Sequence, residues 1–69
     1  PKTTFGLYRV TGPAPREVGP IIEKFTDLVV AMKHLTTVRE AEKAAGGNPY
    51  DLAILPVGPK GEGLLGPGM

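Results

Sequence analysis

Pro20-Ile21-Ile22-Glu23-Lys24-Phe25-Thr26-Asp27-Leu28-Val29-Val30-Ala31-Met32-Lys33-His34-Leu35 decides the fold of this 69-residue chain, because it reads in two ways. Taken continuously, Ile21, Phe25, Leu28, Met32 and Leu35 recur every three or four positions, the spacing of one helical stripe from about Pro20 to His34. Pro20 suits the first helical position, where an amide has no partner anyway. Taken as two pieces, Arg16 to Phe25 is a short helix and residues 27–33 are a strand. A Leu-Val-Val-Ala-Met run, apolar on both faces, is what a parallel strand covered by helices contains.

The flanking segments favour the split. Upstream, Thr3 to Val10 alternates as a strand, and Thr11-Gly12-Pro13-Ala14-Pro15 stops it. Downstream, Thr37-Val38-Arg39-Glu40 has the form of a capping box opening a helix at 37–45, which Gly46 can end. Tyr50 to Val57 then reads as an apolar strand, with Leu52 and Ile54 as core. Two strands alone are marginal in water, and a third gives the helices something to cover. Strand–helix–strand–helix–strand implies an α/β fold with a small, three-stranded, mainly parallel sheet and two helices. The alternative is an α+β fold with one long helix, Pro20–His34, and two strands. Residues 1–58 form the expected domain. Residues 59–69, rich in Gly and Pro, read as a tail with Lys60 and Glu62 exposed.

Size and composition bound the function. A chain this short buries only about 60% of the surface its unfolded form exposes, and its core rarely supplies more than about 3–5 kcal/mol. There is no cysteine, which removes disulfides and thiolate zinc sites, and one histidine cannot build a metal centre alone. Association with a protein partner or with itself is the remaining common remedy. Eight basic and seven acidic residues are spread without a basic stripe, which argues against nucleic acid. No apolar run approaches the roughly 20 residues of a membrane helix, and no signal-peptide layout opens the chain. No membrane insertion and a cytoplasmic location are therefore expected, and no residue pattern calls for a cofactor.

Candidate sites follow from the parallel reading. In a 2-1-3 strand order, loops after the first and third strands flank one crevice. Thr11, Gly12 and Arg16 would come from one side, Gly58, Lys60 and Glu62 from the other with Gly61 in the same loop, and His34 would emerge beside them. Amides freed by glycines, with Lys60 and Arg16 adding charge, suit an anion. Leu64, Leu65 and Met69 lie among glycines and prolines, where no regular element can bury them, and read as a partner-binding tail. No nucleophile–base pair or metal-ligand set stands out, so no catalytic residue is assigned.

Three family resemblances bear on this. Val38 through Pro56 resembles the helix and strand that precede the phosphorylated aspartate of receiver domains. Leu55 or Pro56 stands at the aspartate's place, and Thr11-Gly12 at the acidic pair, so the resemblance implies local architecture and not phosphotransfer. Tyr8-Arg9-Val10-Thr11, Phe25-Thr26 with Leu28-Val29, Gly46-Gly47 before a strand, and Gly58-Pro59-Lys60-Gly61 are similar to the small core linker of phycobilisomes. That resemblance implies a linker role, although the basic character of those linkers is missing. Pro1 before a strand resembles the small tautomerases, which use such a proline as a base, but no second group is placed for it. The expected function is a small non-enzymatic interaction or assembly subunit. A ligand- or anion-binding regulatory module using the crevice is the alternative, and a phycobilisome-type linker a minor one.

Overall fold

The computed structural model describes residues 3–13 and 15–65; Pro1 and Met69 lie outside them. Strand β1 (Phe5–Thr11) is followed by β2 (Glu17–Phe25), helix α1 (Leu28–Ala44), a single 3-10 turn (Pro49–Asp51) and β3 (Leu52–Pro56). The strands form one sheet in the order β2-β1-β3. Both pairings are antiparallel: Phe5 sits opposite Phe25 on one side and Pro56 on the other.

This overturns the mainly parallel sheet with two helices. The one-helix α+β alternative fits in class, with the helix at Leu28–Ala44 rather than Pro20–His34 and with three strands rather than two. Chain length between elements supplies the physical reason. Only residues 12–16 join β1 to β2, a span suited to a hairpin, whereas a parallel crossover needs a dozen residues or more. Arg16 fastens the hairpin by donating to the Val10 carbonyl at 3.1 Å. Residues 16–25, expected as a helix, are therefore almost wholly strand. Gly19-Pro20 is unfavourable inside a helix but tolerated in a strand at the sheet edge. The backbone there comes close: a Cβ on Gly19 would meet the Arg9 carbonyl at 3.3 Å.

Residues 27–33, expected as a strand, instead open α1. Asp27 is its N-cap, its carboxylate accepting from the amides of Val29 at 2.8 Å and Val30 at 3.4 Å. Thr37 lies inside the helix, its hydroxyl turned back to the Lys33 carbonyl at 3.4 Å, so Thr37–Glu40 is not a capping box. Asp27→Ala should lower stability by about 1 kcal/mol, the usual effect of losing a cap. Thr37→Ala should change it by less than about 0.5 kcal/mol, as surface substitutions do. Denaturant midpoints of the two variants measure the contrast. Gly46 ends α1 as expected, at φ +86°. Its amide bonds to the Lys43 carbonyl and that of Gly47 to the Glu42 carbonyl, the paired bonds of a Schellman motif.

The helix lies on one face of the sheet. Its inner stripe places Ala31 and Leu35 in a core with Leu7, Phe25 and Leu52, edged by Phe5, Val38 and Ile54. Leu52 is buried as expected, whereas Ile54 is half-buried. On the opposite face Tyr8 and Val10 are buried as well. The segment after β3 returns over Tyr8: its hydroxyl donates to the Gly61 carbonyl at 2.8 Å. A Cβ on Gly63 would meet Val18, Leu55 and Tyr8 at 2.9–3.1 Å. Val57 bridges to Gly63, and the Leu64 amide bonds to the Pro56 carbonyl, so residues 57–64 form a turn closed on the sheet.

Candidate functional site

The antiparallel order disperses the crevice that the sequence suggests. Thr11, Gly12 and Arg16 lie at the β1–β2 hairpin, the end where Arg9 faces Leu52. Gly58, Lys60 and Gly61 follow Pro56, which faces Phe5 at the other end of the sheet. His34 belongs to neither end: on α1, its Nε2 is 3.5 Å from the Glu23 carboxylate and its ring centroid 5.3 Å from that of Phe25.

The glycine loop after β3 spends its amides internally. The Gly58 amide donates to the Glu62 carbonyl, the Gly61 amide to the Gly58 carbonyl, and the Lys60 amide to the Glu62 carboxylate at 2.8 Å. The anion it cradles is its own side chain, and Gly61 supplies the φ of +81° that the turn requires. Of the apolar tail residues, Leu64 and Leu65 are 44% and 47% exposed.

What the fold does gather lies along α1. Beside the inner stripe of buried Ala31 and Leu35 and half-buried Val38 and Glu42 runs a second one: Leu28, Met32, Thr36, Arg39 and Lys43, spaced 4, 4, 3 and 4. Arg39 donates to the Leu52 carbonyl at 2.9 Å, so this stripe faces the β3 side of the molecule. Its first half is apolar and open: Leu28 and Met32 are each 47% exposed, and their neighbours Val29 and Val30 are 62% and 52% exposed. Its second half borders an open groove of about 270 Å³ against the 3-10 turn, lined by Thr36, Arg39, Glu40, Lys43, Pro49 and Tyr50. The Arg39 guanidinium lies 5.9 Å from the centre of the Tyr50 ring.

A second hollow, about 300 Å³, lies on the β1–β2 hairpin, with Arg9, Thr11, Glu17 and Ile22 in its wall. Arg9 is already paired with Glu42 at 3.0 Å, and that hydrogen bond and charge hold its guanidinium more firmly protonated.

None of Leu28, Met32, Arg39, Lys43 or Tyr50 was marked by the sequence as a site. The signal was present in the 4, 4, 3, 4 spacing, but it shows only once α1 is known to start at Leu28. Among the described residues no group of three or more His, Cys, Asp or Glu side chains is placed to hold a metal ion. No helix among them is long and apolar enough to cross a membrane. Compared with protein-family models, curated proteins and solved structures, the chain matches none.

Proposed function

We propose that this chain is a small non-enzymatic interaction or assembly subunit that binds a protein partner, or a second copy of itself, through the outer surface of α1. The observation that carries the reading is the exposure of Leu28, Val29, Val30 and Met32 in consecutive turns of one helix. Burying apolar surface yields about 25 cal/mol per Å². A helix of a small domain that leaves four such side chains in water forgoes that gain unless another surface covers them. Leu64 and Leu65 add two half-exposed apolar residues to the molecule's surface. The lack of cysteine suits a reducing, cytoplasmic setting.

The test is the native mass of the chain in a gentle extract and after purification, with the Val29→Ser/Met32→Ser double variant alongside. The wild type should run above its 7.2 kDa monomer mass. The double variant should run as a monomer with unchanged circular dichroism, since neither side chain belongs to the core. A wild type that is monomeric both in extract and when pure contradicts the proposal.

A further inference from the structure

The apolar turns of α1 lead directly into the groove beside the 3-10 turn, and the groove has a chemical character of its own. We infer that this groove anchors an acidic peptide segment of a protein partner. Carboxylates of that segment would meet Lys43 and Arg39, and its apolar side chains would lie along Met32 and Leu28. The inference rests on the interaction reading above and names the class of partner.

Charge complementarity is the first support. Arg39 and Lys43 line the groove against the single carboxylate of Glu40, which leaves it net positive in a chain whose overall charge is only +1. The state of Arg39 is the second. One of its terminal nitrogens donates to the Leu52 carbonyl at 2.9 Å, which holds the guanidinium at the wall of the groove. A guanidinium fixed on one side, with donor capacity remaining, favours a carboxylate, which it can bind through two parallel bonds. Tyr50 is the third. At 76% it is the most exposed of the large apolar and aromatic residues among those described, yet its backbone is fixed by the Asn48 side chain, which accepts from its amide at 3.0 Å. A preorganised Tyr beside an Arg is the composition of an interface hot spot. Length argues for a peptide over a small anion. From Leu28 to Lys43 the stripe runs about 22 Å at the helical rise of 1.5 Å per residue.

Selection of a random linear dodecapeptide library on the immobilised full chain tests the inference. The enriched peptides should contain more Asp and Glu than the starting library. Synthetic copies should bind about tenfold more weakly to Lys43→Glu and to Tyr50→Ala, and more weakly as salt is raised. Both variants change exposed side chains, so folding is checked by circular dichroism. No enrichment overturns the inference, as do basic or neutral peptides, or acidic peptides that bind Lys43→Glu as well as wild type. Neutral apolar peptides that are lost on Val29→Ser/Met32→Ser but indifferent to Lys43→Glu overturn the acidic class while leaving the interaction reading in place.

Discussion

Leu7→Ala should leave the chain largely unfolded at 25 °C. Leu7 is fully buried at the centre of the sheet, on the middle strand, in a core with Phe25, Ala31, Leu35 and Leu52. Truncating such a leucine costs about 2–5 kcal/mol, from lost transfer energy plus the cavity left behind. A domain of this size has only about 3–5 kcal/mol in total, so one substitution removes most of it. Ile54→Ala on the edge strand should cost less, because Ile54 is only half-buried and its site is open to water. Circular dichroism of both variants with a denaturant melt gives the comparison. A Leu7→Ala variant as stable as Ile54→Ala would contradict the placement of the core.

The second large effect is expected at Tyr8. It is the largest fully buried side chain and holds the C-terminal turn to the sheet through the Gly61 carbonyl. Tyr8→Ala should cost about 3–5 kcal/mol, as loss of a buried aromatic does. Tyr8→Phe should cost about 1 kcal/mol, the value of one hydrogen bond. The pair also predicts a pH dependence. Burial, and then the charge of Glu62, raise the Tyr8 pKa above its ordinary 10.0. The neutral phenol is the form the folded chain holds. Its contribution is full below pH 10.0 and is lost as pH climbs toward the raised folded value, because the unfolded chain ionises first. Wild-type stability should thus fall on the alkaline side of pH 10.0, and Tyr8→Phe should flatten that fall. Equal alkaline slopes in the two proteins would show that Tyr8 is not the titrating group.

The sequence made some of this fold legible and hid the rest for identifiable reasons. The β1 alternation, the helix end at Gly46 and an apolar strand after it are local signals that the structure carries, although the last strand is shortened from 50–57 to Leu52–Pro56 because Pro49–Asp51 forms a 3-10 turn. The middle segment misled in two ways: Leu28-Val29-Val30-Ala31-Met32 is apolar enough to read as a covered parallel strand, and Ile21 and Phe25 fall in phase with Leu28, Met32 and Leu35 although strand and helix meet between them. Asp27, the actual cap, opens a segment that also reads as a strand, and Thr37–Glu40 offers a second plausible start nearly three turns further on. The site failed with the topology. Thr11, Gly12 and Arg16 approach Gly58, Lys60 and Gly61 only if β1 and β3 run the same way. Lys60 and Glu62 are exposed as their turn composition implies. The closure of that turn over Tyr8 depends on a contact across 53 residues, which no local pattern announces.

Strand direction is therefore the claim on which the dispersal of the crevice and the position of the α1 stripe both depend. A nuclear Overhauser spectrum of the full chain tests it directly. In an antiparallel pair, facing residues outside the hydrogen-bonded rings bring their Cα atoms to about 4.5 Å, close enough for strong Hα–Hα cross-peaks. The Leu52 carbonyl points to Arg39 and away from β1, which places Leu52 opposite Arg9, and Ile54 opposite Leu7, at such positions. Hα–Hα cross-peaks are expected for Leu7–Ile54 and Arg9–Leu52 together. Contacts that pair the start of β1 with the start of β3, and none between these partners, would contradict the antiparallel pairing.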